Sequence, residues 1–499
     1  MSVNTPELSA VSQHDHLLEE ALPALDEKAS FSGAGNFVTR IVRRGGQVLS
    51  TLWHGKPKKT LHRTAYLDGV RGFAALLVYI LHHQVWGHHA MGGMFILENA
   101  FGYEDRYYFA SLPFFRTFFS GGHLAVAVFF VISGYALSTK SLAAIHHGDT
   151  TRLADLLSSA LFRRWFRLYL PCAVVTFAWM TSWHLFGLRS FSPGAMQPEE
   201  TYLADVRRWY DELQWFSFAF REYQSNKYND HLWSIPHEFR GSIAVFTCLL
   251  ALSKCRRNAR LFCETVLVVY FLFVVDAWYC ALFIAGMLFC DLDLLAVDGD
   301  LPAPLAALEP HKSYIFYLLL AVGLYVGNVP TVAMELEHIR ESPGWYYLSF
   351  LKPRVSFDPR FYFQSLGAIC IIPAIPRIPR LRAFFETSFC QYLGRVSFAL
   401  YLVHGPILWC FGDRIYAATG RVRDESAELV PNWVNLCPFP SWGPFGLEIN
   451  FLMAHVVLLS VTLWTAQIVT KVVDEPSVRL ASRLFQSLGE KQNPPIRRV

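Results

Sequence analysis

Two side chains that a membrane segment rarely carries, Arg71 and His82, lie in the first long apolar stretch of the chain. An ionisable residue in such a stretch is costly, and it normally lines a functional site or pairs with a partner. The two residues are eleven positions apart, which on an α-helix places them within about 20° of one face and roughly 16 Å apart along the axis. A cation at one end and an imidazole deeper in suit a long substrate, with phosphates at one end and a reacting carbonyl at the other. The simpler alternative is that Arg71 extends to lipid headgroups and that His82 or His83 hydrogen-bonds between helices.

A second group of cations precedes the third apolar stretch, in the sequence Arg163-Arg164-Trp165-Phe166-Arg167. Arg164 and Arg167 are three residues apart and therefore share a helix face. Guanidinium groups bind phosphate through paired hydrogen bonds, so this pair is a candidate phosphate clamp. The alternative is a plain anchor of positive charge on the cytoplasmic side of a membrane, which the same residues satisfy.

Two further motifs place acid–base groups beside apolar stretches. In residues 231–240, Ser234 and Glu238 follow a tryptophan, and a carboxylate at this position could orient or deprotonate a hydroxyl. The alternative is an interfacial tryptophan belt with a surface charge pair. In the last motif Tyr401 precedes His404 by three residues deep in an apolar stretch. There the alternative is a polar contact between packed helices.

The elements that must position these groups are long apolar helices. Hydrophobic residues make up 53% of the chain and charged residues 17%, whereas soluble domains contain about a quarter charged residues. A membrane span needs about 20 mostly apolar residues, and this criterion predicts about ten spans. They lie near residues 67–86, 121–138, 166–187, 238–253, 261–276, 277–291, 313–329, 361–376, 394–411 and 449–470. The fifth and sixth are barely separated, so one long helix plus a re-entrant piece is an alternative for that pair.

Basic residues fall on one side of this arrangement. Clusters of lysine and arginine lie at 40–63, 140–164, 254–260, 377–382 and 471–483. Because cytoplasmic loops carry an excess of such residues, we predict an all-α, polytopic membrane helix bundle with both termini cytoplasmic. It comprises a polar segment 1–62, a transmembrane domain 63–480 and a tail 481–499. On the side opposite to the cytoplasm, aromatic and charged residues in 188–232 predict an interfacial amphipathic helix. This segment either covers an acceptor entrance or is an ordinary loop.

Six motifs, in order, resemble those of the acyltransferase 3 family. The Leu67-Asp68-Gly69 start with the Arg71–His82 spacing is similar to the family's opening helix. The later motifs are GHLAVAVFFVISGY at 122–135, Arg164-x-x-Arg167 with Pro171, WSIPHE at 233–238, the stretch from Ser397 to His404, and Asp474-Glu475-Pro476. Together they cover about residues 60–480, and the layout is most similar to the fungal branch of the family.

The resemblance implies a ten-helix membrane O-acyltransferase domain over 63–480. Such an enzyme moves an acyl group, usually acetyl, from cytosolic acyl-CoA to a hydroxyl of a sugar, lipid or small metabolite. Carried over by position, His82 is the catalytic histidine, and Glu238 pairs with it or with the acceptor. Arg71, Arg164 and Arg167 hold the CoA phosphates or orient the donor. The residues expected to support them are Asp68, His83, Ser234, Tyr401 and His404.

The same resemblance implies acyl-CoA as a co-substrate, with no permanently bound cofactor and no metal. A fungal-type chain with a short tail favours a small hydrophobic acceptor, secondary metabolism, and the endoplasmic reticulum or another endomembrane. Membrane lipids are expected partners and nucleic acid is not. His82 acts either as a general base or as a nucleophile that is itself acylated. On the residues alone, a proton-coupled transporter or an acyl-group translocator is the alternative, since intramembrane arginine and histidine also suit such a pathway.

Overall fold

The regular elements of this protein are all helical. A computed structural model describes residues 61–188, 196–221, 225–332, 335–422, 428 and 430–489, and over these residues it contains helices and turns without a strand. The all-α fold class predicted from the sequence is therefore confirmed. The polar segment 1–62 and the tail 481–499 lie outside the described residues, apart from 61–62 and 481–489.

A helix stands at each of the ten positions predicted as a span. The helices of fourteen or more residues are α1 (Ala65–Gly87), α2 (Gly122–His146), α3 (Thr150–Phe186), α4 (Tyr202–Ser217), α5 (Ser234–Ala251), α6 (Arg257–Phe273), α7 (Trp278–Val297), α8 (Lys312–Gly327), α9 (Pro359–Ala374), α10 (Ser388–Ile407), α11 (Ile449–Val469) and α12 (Glu475–Leu488). The shorter α-helices are Gly93–Glu98, Thr117–Ser120, Ala303–Ala306, Leu336–Glu341, Tyr346–Ser349, Pro379–Phe385 and Asp413–Ala418.

Within the part of the chain that the structure describes, five stretches are long and apolar enough to cross a membrane. They are α1, α2, α7, Ser388–Ala418 and Ile449–Leu488, and a sixth is formed if the pair Pro359–Arg377 and Pro379–Phe385, bent by 96°, counts as one span. The protein thus has the helices of a membrane protein.

The weakly separated fifth and sixth spans are two distinct helices. The chain between α6 and α7 turns at Asp276, whose φ of 52° lies in the left-handed region. A carboxylate holds this turn in place, because Asp276 accepts a hydrogen bond of 2.7 Å from the backbone N–H of Phe357. The alternative of one long helix is not what the structure contains.

The predicted amphipathic helix in 188–232 is α4. Its inner face carries Asp205 and Phe216, both 0% exposed, while Tyr210 and Trp215 face outward. Asp205 accepts a hydrogen bond of 2.6 Å from His184 at the end of α3, and it also pairs with Arg208. A buried carboxylate with these partners ties α4 to the bundle.

Helix α1 lies at the centre of the bundle because glycines let its neighbours approach. A Cβ added at Gly72 would stand 2.2 Å from the backbone nitrogen of Gly394 in α10. One added at Gly122, at the start of α2, would stand 2.8 Å from the Leu81 side chain. Small residues serve the same purpose at helix interfaces in membranes generally. The site residues on α1 are thereby held close to α2 and α10.

Replacing Gly72 with valine should therefore destabilise the bundle. The new side chain meets backbone atoms that cannot rotate away, and overpacking of this kind costs about 1–3 kcal/mol or more. We expect a lower melting temperature for the detergent-solubilised variant, measured by size-exclusion chromatography after heating. Ala307→Val, at an exposed position, is the control, and equal melting of the two variants would contradict the close α1–α10 contact.

Candidate active site

A cavity rich in guanidinium groups lies where α1, α2, α3, α5 and α10 meet. Its volume is about 240 Å³. The charged residues that line it are Arg71, Arg164, Arg167, Arg395, Glu238 and Asp474. Four cations thus face two carboxylates, so the cavity carries a surplus of positive charge. It brings together all three arginines that the sequence analysis assigned to donor binding.

Arg71 is held in place from two helices. Its Nε donates to Ser397 Oγ at 3.1 Å, and its Nη2 donates to the Gly394 carbonyl at 3.1 Å. Within α1 it pairs with Asp68 at 2.9 Å. Asp68 therefore holds the Arg71 guanidinium from within the same helix. With 35% of its side chain exposed, Arg71 can still present a guanidinium edge to the cavity.

Glu238 belongs to the arginine side of the site. Its Oε1 accepts hydrogen bonds from Arg164 Nη2 at 2.5 Å and from Ser133 Oγ at 2.6 Å. Arg164 also donates to Ser242 Oγ at 2.7 Å. Among the described residues Glu238 has no hydrogen bond to a histidine, so the sequence-based pairing of Glu238 with the catalytic histidine has no counterpart in this geometry. The carboxylate instead neutralises a buried guanidinium and joins α2, α3 and α5.

The other two arginines of the cavity have N–H donors that make no hydrogen bond within the described residues. Over the described part of the chain Arg167 makes no hydrogen bond or ion pair, and Arg395 lies over the ring of Tyr392, with its guanidinium carbon 5.7 Å from the ring centroid. Guanidinium groups with uncommitted N–H donors are suited to an anionic ligand. The sequence analysis assigns no role to Arg395, because nothing local distinguishes it from a boundary anchor.

Three imidazoles form a second cluster deeper in the bundle. The ring centroids of His82 and His231 are 4.0 Å apart, those of His231 and His404 are 4.6 Å apart, and those of His82 and His404 are 5.3 Å apart. His404 is 1% exposed, whereas His82 and His231 are partly accessible. His231 opens a motif noted in the sequence, but only the fold brings it to His82.

A proline explains how His231 reaches the cluster. Pro406 has no N–H, so the Leu402 carbonyl four residues earlier lacks its helical donor. The side chain of Asn229 supplies one at 2.9 Å, which fastens the turn that carries His231 to α10. Gly405 leaves room for the ring, since a Cβ there would stand 2.3 Å from His231 Nδ1.

A π-helical turn completes the packing around His231. The α-helix α10 continues into residues Leu408–Gly412, which form a π-turn. Trp409 in this turn stacks on His231 with ring centroids 5.0 Å apart and an interplanar angle of 21°. A π-turn shifts side chains around the helix axis, and such turns are frequent at functional sites. A second π-turn, Thr470–Asp474, ends at Asp474, whose carboxylate lines the arginine cavity.

Tyr401 and Ser234 connect the two clusters. Both line the arginine cavity, and their hydroxyl oxygens are 2.8 Å apart. The Tyr401 hydroxyl also donates to the backbone carbonyl of His231. The pair therefore stands between the guanidinium groups and the imidazoles, and its supporting role stays a prediction.

His83 lies in a different environment from His82. Its Nδ1 is 2.8 Å from the Tyr416 hydroxyl, which is 3.4 Å from His455 Nε2. His455 Nδ1 is in turn 2.9 Å from the Tyr79 hydroxyl. These four groups join α1 to the 413–418 helix and α11. His83 thus belongs to a hydrogen-bonded chain apart from the histidine cluster.

The histidine cluster must also be considered as a metal site. One ligand nitrogen from each of His82, His231 and His404 lies within 4.8 Å of the others, and three histidines are a common ligand set of catalytic zinc. An imidazole binds a metal in its ring plane, however, and the rings of His231 and His404 are only 25° from parallel. The two rings are thus stacked on each other rather than splayed around a common point. No hydrogen bond joins the three rings among the described residues, and the expectation that no metal is bound stays a prediction.

Known fungal proteins are similar to this chain over most of its length. The model of a family described as an acyltransferase domain matches residues 64–470. An O-acetyltransferase named PaAT-1 from Phomopsis amygdali is 31% identical over 458 residues, covering 85% of this chain and 88% of the relative. The acyltransferase clz18 from Cochliobolus lunatus is 25% identical over 480 residues, 86% of this chain and 97% of the relative. No solved structure matches significantly.

The Arg164–Glu238 pair yields a prediction about stability. Glu238→Gln leaves a guanidinium that is 7% exposed without its charge partner, and breaking a buried pair in this way costs about 3–5 kcal/mol. We expect a large drop in melting temperature in detergent. Adding Arg164→Met should recover part of it, because the unpaired charge is gone.

Ser133→Ala is the matched control, since it removes only one hydrogen bond to the same carboxylate and should cost about 1 kcal/mol. A Glu238→Gln protein as stable as the wild type would show that the pair does not hold these helices together.

Proposed function

This chain belongs to the acyltransferase family whose model covers residues 64–470, and from that membership we propose that it transfers an acyl group from acyl-CoA to a hydroxyl. Membership makes the chain an acyl-transferring enzyme rather than a transporter. Acetyl is the first expectation for the acyl group, because one relative is named an O-acetyltransferase. We propose a small hydrophobic metabolite or lipid as the acceptor.

The observation that carries this proposal is the division of one site into two chemistries. Arginines surround a cavity at one end, and neutral imidazoles lie at the other, with Tyr401 between them. On α1 the two ends are represented by Arg71 and His82, roughly 16 Å apart by helix geometry. A CoA thioester has the same order of groups, with phosphates at one end and the carbonyl at the other.

Each arginine has a separate part in donor binding. Arg167 and Arg395 provide the uncommitted donors for phosphate. Arg71, fixed by Ser397 and Asp68, orients the ligand at the inner wall of the cavity. Arg164 is engaged by Glu238 and contributes mainly charge and rigidity. The cavity of about 240 Å³ accommodates the narrow pantetheine arm, so the nucleotide lies at its mouth.

His82 is the catalytic histidine of this proposal. It is partly accessible, so an acceptor hydroxyl and a thioester carbonyl can both reach it. A neutral imidazole can remove the hydroxyl proton as the oxygen attacks the thioester carbonyl, and it can return that proton to the departing thiolate. An acyl-histidine intermediate would use the same nitrogen as a nucleophile.

The membrane placement completes the proposal. We propose ten spans with both termini in the cytoplasm, which places the arginine cavity on the side where acyl-CoA is available. An endomembrane such as the endoplasmic reticulum fits this orientation. The amphipathic helix α4, with Tyr210 and Trp215 outward, would then lie in the opposite interface, where a hydrophobic acceptor concentrates.

Arg167→Ala should raise the KM for acetyl-CoA with little change in kcat. A charge-assisted hydrogen bond to phosphate is worth about 1.5–3 kcal/mol, which corresponds to a ten- to hundredfold effect. The same variant should use S-acetyl-pantetheine, which lacks the nucleotide phosphates, as well as the wild type does.

Arg163→Ala is the matched control, because Arg163 bonds Ser159 and Ser482 and does not line the cavity. A donor KM for Arg167→Ala equal to that of the control would remove Arg167 from phosphate binding.

His82→Ala should abolish turnover while the protein remains folded. We expect a loss of kcat of at least about a hundredfold, since general acid–base catalysis contributes roughly 10²–10⁴-fold. Release of CoA thiol from radiolabelled acetyl-CoA by purified protein, with lipid extract as the acceptor source, measures it. Turnover by His82→Ala at the wild-type rate would transfer the catalytic role to another residue. A wild-type protein that cleaves neither acetyl-CoA nor longer acyl-CoA would contradict the proposed function itself.

A further inference from the structure

The surroundings of His404 determine which of its two ring nitrogens carries the proton. Its Nδ1 lies 2.8 Å from the Tyr401 carbonyl and 3.2 Å from the Leu400 carbonyl. A carbonyl can only accept, so Nδ1 carries the proton. In the described part of the chain the ring has no carboxylate partner, and at 1% exposure a charged ring would be costly. His404 is therefore neutral, with its lone pair on Nε2.

That lone pair is buried and has no donor. Nε2 of His404 is among the buried side-chain atoms without a hydrogen-bond partner in the described residues. Leaving a buried acceptor unmatched costs about 1–3 kcal/mol, and such an atom in a native structure calls for an explanation. A ring held in one tautomer by two backbone carbonyls, with a vacant acceptor on its other side, is preorganised to receive an N–H.

The neighbouring imidazoles are the available donors. His82 and His231 each place one ring nitrogen within 4.8 Å of a nitrogen of His404. His231 is itself fixed, by Trp409 stacked on it and by the Asn229 anchor. His82 makes no hydrogen bond to any described residue, so its ring is free to turn until an N–H approaches to about 3 Å.

We propose that His404 is a positioning residue for the catalytic histidine, accepting the N–H of His82 so that the other nitrogen of His82 faces the substrate unprotonated. This inference rests on the proposed function. In the transfer step the free nitrogen of His82 takes the hydroxyl proton, the oxygen forms a bond to the thioester carbonyl carbon, and the carbon–sulfur bond breaks. The departing thiolate then takes the proton from His82. His404 holds the tautomer throughout and stabilises the imidazolium that forms.

This assignment gives three otherwise unrelated features one explanation. The backbone carbonyls of Leu400 and Tyr401 set the tautomer of His404. The stack of Trp409 on His231 keeps the third ring from turning toward His404. The low exposure of His404 keeps water, a competing donor, away from Nε2. Substrate contacts therefore fall to His82, and His404 acts through it.

The decisive comparison is between His404→Gln and His404→Asn. A glutamine amide reaches the position of Nε2 and can offer an oxygen there, whereas an asparagine amide reaches the position of Nδ1 and leaves no acceptor for His82. The two variants are equally polar, so their folding should be alike. We expect His404→Asn to lose kcat by on the order of a hundredfold and His404→Gln to keep most of it. The donor KM should be unchanged in both, because the arginine cavity is untouched.

The same variants in a His82→Ala background provide the second measurement. If His404 acts only through His82, His404→Asn should cause no further loss there, as expected for residues that work as a unit. Equal kcat for the asparagine and glutamine variants, or an additive loss in the double variant, would overturn the proposal. If His82→Ala abolishes activity but neither His404 variant changes it, this inference alone is refuted and the proposed function still stands.

Discussion

Burial of polar groups among apolar helices is the constraint on which the rest of this structure depends. Where water is scarce, each buried charge or hydrogen-bonding group must find a partner inside the protein. Arg164 is paired with Glu238 and Ser242, and Asp205 with His184 and Arg208. These pairs determine which helix faces meet, because moving one helix would leave a charge unmatched. Nε2 of His404 is one of the buried side-chain atoms that have no such partner among the described residues.

The two halves of the site follow this rule in opposite ways. In the arginine cavity a surplus of guanidinium groups is left after the carboxylates are matched, so an anion is the missing partner. In the histidine cluster Nε2 of His404 and Nδ1 of His231 are buried without a hydrogen-bond partner among the described residues. In the proposed function the first half binds the phosphates of the donor and the second transfers protons. Tyr401 joins the two halves through its hydroxyl, which bonds Ser234 at the cavity and the backbone carbonyl of His231.

Irregularities in the helices place the key side chains. Pro406 frees a carbonyl that Asn229 uses, and this contact brings His231 from a separate segment into the cluster. The π-turn after α10 directs Trp409 onto His231, and the π-turn after α11 ends at Asp474 beside the arginines. Regular helices would have presented these residues on other faces. The distortions therefore serve the geometry of the site rather than the packing of the bundle.

The sequence by itself determined the helices, the membrane character, the family and the shared face of Arg71 and His82. All of these depend on local properties: apolar length, the positions of basic residues, ordered motifs and the repeat of a single helix. Which faces of different helices meet was decided only by the tertiary structure. Glu238 pairs with Arg164, His231 packs beside His82 and His404, and His83 hydrogen-bonds Tyr416. Helix periodicity describes one helix at a time, whereas these contacts join residues that are up to 333 positions apart.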